Sequence, residues 1–153
     1  MKSLLTLTLI FGIAGCDTLR GFTRTVHLDH YPSADCIVAA AEAVDGISNV
    51  SYSREQAGRA VMFEGIQPAG VVHRYRYTYR NLENNFYFLE SHGDKIEFRH
   101  GYAGLSYDPP QKDVEMIYRV VIELERELEK RCNIDGLASR VEEYCNGVRY
   151  ICD

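Results

Sequence analysis

From Val71 to Arg80 the chain alternates so regularly that a strand with one buried and one wet face is the natural way to fold it. The odd positions are Val71, His73, Tyr75, Tyr77 and Tyr79, and the even ones Val72, Arg74, Arg76, Thr78 and Arg80. A period of two sends successive side chains to opposite sides of a sheet. One set then packs on a core while the other meets water, as in antiparallel sheets.

The same period runs through the middle of the chain. Val50 and Tyr52 alternate with serines, Val61 and Phe63 with Met62 and Glu64, and Phe86, Phe88, Ile96, Phe98 and His100 continue the pattern. The Ser91-His92-Gly93-Asp94 segment has hairpin-turn composition. Nearer the N-terminus, Val26 and Leu28 oppose His27 and Asp29, predicting a strand over residues 24–31.

Two stretches change to helical spacing. After Pro32-Ser33, with Ser33 as cap, Cys36, Ile37, Ala40, Ala41 and Val44 form one apolar stripe, which Gly46 ends. Asp108-Pro109-Pro110 announces a longer helix whose seam is Val114, Ile117, Val121, Leu124 and Leu128. Its charged residues, among them Glu127 with Lys130 and Arg131, stand at pairing distance on the other faces. A seam this short predicts a helix lying on a sheet rather than a coiled coil. A last short helix is expected over 134–144. The fold class is therefore α+β: an antiparallel sheet of about five strands, packed on one face by two helices and locked by two disulfides.

The N-terminus carries an address. Lys2 is followed by residues 4–13 without a charge, too short a run to cross a bilayer but suited to a signal-peptide core. Ile13-Ala14-Gly15-Cys16 then resembles the bacterial lipobox, in which an aliphatic residue and two small ones precede a lipid-carrying cysteine. The resemblance implies cleavage before Cys16, a diacylglyceryl group on its thiol and an N-acyl chain on its amine. It also implies a lipoprotein of the bacterial cell envelope, held on the membrane and facing the periplasm. Asp17 resembles the inner-membrane retention signal of enteric lipoproteins. Residues 1–15 are thus a signal peptide, 16–23 a lipidated tether, and 24–153 a single domain.

Cysteine arithmetic agrees. Five cysteines leave an odd one in an exported protein, whereas lipidation of Cys16 leaves an even set. Cys36 lies near the start of the first helix stripe and Cys132 at the end of the second. If the helices run antiparallel on one sheet face, these ends meet, so Cys36–Cys132 is expected to close most of the domain and Cys145–Cys152 to clip the tail. Four cysteines allow three pairings. No Cys-x-x-Cys occurs, so structural bridges are preferred over redox exchange or zinc.

Other chemistry is sparsely signalled. The helix ending in Val44-Asp45-Gly46-Ile47-Ser48-Asn49-Val50, with Cys36 near its start, resembles the first half of a heavy-metal-associated domain but lacks its second cysteine, so metal delivery does not carry over. His27 and His30 point to opposite faces of a strand, and His73 and His100 fall on apolar faces. No metal site and no cofactor are expected beyond the lipid. No nucleophile or phosphate-loop motif is present, and the domain is read as non-catalytic. The formal charge of −5 sets nucleic acid aside as a partner, since that binding depends on neutralising phosphates.

What remains is a cluster of arginines. Arg74, Arg76 and Arg80 are expected on the wet face of one strand, with Arg99 and Lys95 on another. Guanidinium groups grip carboxylates and phosphates in a two-pronged fork, so this face suits an anionic envelope component or another envelope protein. Glu64, Glu90 and Glu97, standing across the strands, are the groups that would neutralise it. The leading expectation is an interaction domain displayed at the membrane surface. The alternatives are a small-ligand binder with a pocket between sheet and helices, near Tyr75, Tyr77 or Tyr79, and an enzyme without a recognisable motif.

Overall fold

The computed structural model describes residues 20–57, 61–62, 65–66, 70–91, 96–104 and 111–146. Its elements run β1 (Arg20–Leu28), α1 (Ala34–Glu42), β2 (Ile47–Ala57), β3 (Val61–Met62), β4 (Gly65–Ile66), β5 (Gly70–Tyr79), β6 (Leu82–Ser91), β7 (Ile96–Gly104), α2 (Gln111–Cys132) and β8 (Glu142–Asn146). Six strands form one sheet in the order β2-β5-β6-β7-β1-β8, and β3 pairs with β4 apart from it. Every neighbouring pair is antiparallel.

The α+β class and the antiparallel sheet are as expected, but the sheet has six strands rather than five. The extra strand is β8, where a helix over 134–144 was expected. Asn133 and Gly136 adopt left-handed backbone, which stops α2 and prevents a new helix from starting. After a single 3-10 turn at Ala138–Arg140 the chain extends and closes the otherwise open side of β1. Glu142–Asn146 has no strong preference of its own, so pairing with β1 decides its state. At the other end, β1 begins at Arg20, so residues 20–23 belong to the sheet and not to a tether.

The hairpin between β5 and β6 has a two-residue turn. Tyr79 pairs with Leu82, and Arg80 and Asn81 between them both have positive φ, 47° and 71°. This mirror-image turn matches the right-handed twist of the flanking strands. Arg80 therefore stands in the turn, not on the wet face of β5 as expected, with its guanidinium 5.4 Å from the centre of the Tyr79 ring.

The core lies between the sheet and the two helices. Tyr75, Tyr77, Phe86, Phe88 and Phe98 project from the sheet, and all five seam residues of α2 meet them, each at most 1% exposed. From α1 come Ile37, Ala40 and Ala41, with Val44 beyond its end. Ser33 caps α1 by accepting from the Cys36 amide, and Gly46, at φ +84°, turns the chain into β2. Cys36 and Cys132 form a disulfide with Cα atoms 5.7 Å apart, so the start of α1 is joined to the end of α2 as expected. Among the described residues this is one bridge, not two. The other expected bridge, Cys145–Cys152, runs to a residue outside them, as do Cys16, Glu64, Lys95 and the Asp108-Pro109-Pro110 cap.

Candidate functional site

With α1 and α2 on one side, the sheet's opposite face carries no helix among the described residues. Registers align its side chains in rows across the strands. One row crosses all six: Ser53 stands beside Arg74, Arg74 beside Tyr87, Tyr87 beside Arg99, Arg99 beside Thr25, and Thr25 beside Glu142. The Arg99 guanidinium lies 6.0 Å from the centre of the Tyr87 ring, within range of cation–π attraction. Two residues along each strand, Ser51 pairs with Arg76 and Arg76 with Asn85. On the far side of the same face Thr23 pairs with Gly101 and Tyr144.

The structure thus brings Arg74, Arg76 and Arg99 onto one face and leaves Arg80 at its tip. Their neutralisation differs from residue to residue. Arg74 is 3.7 Å from Glu55 and donates to Asn85 Oδ1 at 3.4 Å. Arg99 lies 2.9 Å from Glu97. Glu90, expected among the neutralising acids, sits on the helix-covered side, 3.1 Å from His73. Arg76 is exposed and opens onto a shallow hollow of about 500 Å³ with Asn49, Ser51, Glu83 and Asn85 on its walls. A second hollow of about 640 Å³ lies beside Thr23, Thr25, Arg99 and Glu142. Its wall includes Tyr144, at 61% the most exposed large aromatic among the described residues.

The covered side holds polar groups that sequence reading missed. Arg24 points into the core side of β1 and grips Glu125 of α2 with both prongs, Nε to Oε1 at 2.8 Å and Nη2 to Oε2 at 3.0 Å. Glu143 of β8 joins them through Arg24 Nη1 and accepts from the Tyr118 hydroxyl at 3.0 Å. Glu125 is only 2% exposed, and burial raises its carboxyl above the usual range against the pull of Arg24. The signal was present: Arg24 falls in step with Val26 and Leu28, and Glu125 lies between Leu124 and Leu128 on the apolar stripe. The network fastens β1, β8 and α2 together.

The histidines on apolar faces are core groups. His100 is 1% exposed and bonds the Tyr77 hydroxyl through Nε2 at 2.8 Å. Burial drives its pKa down to about 3, so the ring is neutral. His73 shares a hydrogen bond with the Tyr52 hydroxyl through Nδ1 at 2.9 Å and stacks on Tyr31, with centroids 3.9 Å apart. Its Nε2 faces Glu90 without the alignment of a hydrogen bond. Burial lowers its pKa and Glu90 opposes the shift. Tyr75 is bonded to Tyr31. The hydroxyls of Tyr75 and Tyr77 are therefore engaged inside the core rather than presented to a cavity. Among the described residues no cluster of His, Cys, Asp and Glu has the make-up of a metal site, and no helix is long and apolar enough to cross a membrane.

Compared with known families, curated proteins and solved structures, the chain matches no family model, no curated protein and no solved structure.

Proposed function

We propose that this chain is a lipoprotein of the bacterial envelope, anchored through lipid on Cys16, that presents a non-catalytic interaction domain and binds another envelope component. The anchor reading is supported by the Ile13-Ala14-Gly15-Cys16 motif and the odd cysteine count. The periplasm, at the inner membrane on the strength of Asp17, is the proposed location. A second bridge, Cys145–Cys152, is proposed to clip the tail beyond β8.

The observation that carries the interaction reading is the Ser53-Arg74-Tyr87-Arg99-Thr25 row on the helix-free face. Aromatic and arginine side chains are enriched at interfaces because they offer large contact area with polar ends. Here they stand in register on a rigid sheet. The exposed Arg76 beside them suits a partner with carboxylate or phosphate groups. For the ligand-binding alternative, Tyr75 and Tyr77 are closed into the core, whereas Tyr79 lines a small hollow beside the start of α2.

In-cell crosslinking followed by mass spectrometry tests this. One dominant partner should be captured by the unaltered protein and lost in Arg74→Glu/Arg76→Glu, while Arg126→Glu on the exposed side of α2 retains it. Equal capture by both variants would remove the face from consideration. In the same cells Cys16→Ala should move the protein from the membrane to the soluble fraction. Unchanged sedimentation would sink the anchor.

A further inference from the structure

We infer that Tyr52 is where this domain yields an electron to one-electron oxidants, with His73 taking the phenolic proton and Glu90 facing the imidazolium that results. The oxidants are small inorganic radicals such as the carbonate radical anion. The product is a tyrosyl radical that goes on to dityrosine.

Removing one electron from a phenol makes its O–H strongly acidic, so the electron leaves readily where a base already holds that proton. Tyr77 and Tyr52 each share a hydrogen bond with an imidazole, His100 and His73 respectively. The first pair is sealed in the core, with Tyr77 2% and His100 1% exposed. In the second, Tyr52 is 40% exposed on β2, the outermost strand on its side of the sheet, while His73 is 5% exposed. Solvent and oxidant therefore reach the phenol, and the base stands behind it.

The groups around His73 suit the transfer. Tyr52 Oη lies 2.9 Å from Nδ1, close enough for the proton to pass directly. Glu90 Oε1 lies 3.1 Å from Nε2, which favours the tautomer with hydrogen on Nε2 and leaves the Nδ1 lone pair to accept. Burial lowers the His73 pKa below its ordinary 6.5, so the ring starts neutral at pH 7. Arg54, level with His73 on β2, opposes charge on the imidazole, and Glu90 outweighs it. Tyr31 stacks on the imidazole, and its hydroxyl, bonded to Tyr75, lies beside that of Tyr52. The Tyr52 ring is itself stacked on Tyr75, with centroids 5.0 Å apart, so the radical forms in a fixed pose.

The step balances. The carbonate radical anion takes one electron from the Tyr52 ring and becomes carbonate. The phenolic O–H bond breaks, an N–H bond forms at Nδ1, and a neutral tyrosyl radical is left beside an imidazolium. Two such radicals on separate molecules join at ring carbons next to the oxygens. Each displaced ring hydrogen ends on its oxygen, and each His73 returns its proton to water.

The test uses the full purified chain in mild detergent, with hexachloroiridate(IV) as oxidant, read by stopped-flow absorbance and by peptide mass mapping. Dityrosine should map to Tyr52 ahead of Tyr144, although Tyr144 is the more exposed at 61%. Tyr52→Phe, which keeps the ring, should slow reduction of the oxidant several-fold, and Tyr144→Phe should leave it nearly unchanged. His73→Gln should slow it as much as Tyr52→Phe does. Heavy water should also slow the unaltered protein, because the proton moves with the electron. Should His73→Gln fail to fold, that isotope effect decides. Its absence, an unchanged rate in a folded His73→Gln, or oxidation of Tyr144 ahead of Tyr52 overturns the inference.

Discussion

Glu125 is a carboxylate where a leucine would be unremarkable, and that makes it the most informative single residue. Its position within the α2 seam means that its charge is tolerated because Arg24 meets it with two hydrogen bonds. A buried pair of this kind adds little net stability, but breaking it strands a charge. Glu125→Ala should therefore lower the free energy of unfolding by about 3–5 kcal/mol, read by urea denaturation. Arg24→Met with Glu125→Leu should recover most of that loss. His100 gives a second prediction. Its folded pKa of about 3 lies below the ordinary 6.5 of the unfolded chain, so the unfolded chain takes the proton first. The stability this contributes is intact above pH 6.5 and falls as pH drops toward 3. By about pH 5 the loss should be about 2 kcal/mol, with His73, also lowered by burial, acting in the same direction. Denaturation midpoints measured at neutral pH and near pH 5 test it, and His100→Gln should flatten the dependence.

At the level of elements, β1 and β7 come so close that Gly101 has no room for a side chain. A Cβ there would lie 2.3 Å from the Phe22 carbonyl oxygen. Gly101→Ala should force the strands apart and cost about 2–4 kcal/mol, measured by thermal unfolding with circular dichroism. An undiminished melting temperature would show that the backbone yields easily. The central strands and both helices were legible because their patterns are long and regular: ten residues alternate in β5, and the α2 seam repeats over four turns. β8 was not, since five residues give no period strong enough to outweigh the neighbouring sequence, and only the unfilled side of β1 makes them a strand. Of the proposed interaction face, Arg74, Arg76 and Arg99 could be read from alternation. Arg80 could not, because one residue past the last paired position the turn reverses the chain. The row through Tyr87 depends on registers between six strands, some hairpin-linked and some distant in sequence, which a single sequence does not print.

For the whole molecule, the Cys36–Cys132 bridge spans 96 residues of sequence and ties both helices over the sheet. Cys36→Ala/Cys132→Ala should lower stability by about 4–5 kcal/mol on the loop-entropy account, a large share of the roughly 5–15 kcal/mol by which domains are usually stable. Chemical denaturation under non-reducing conditions checks this, and a loss under about 1 kcal/mol would mean that the packed core alone suffices. On the export route proposed above, thiols kept reduced in the cytoplasm would leave the polypeptide without its longest constraint and slack enough to be threaded through a translocation pore. Oxidation on the far side would then set the latch, so that a pliable chain makes the passage and a rigid one does the work.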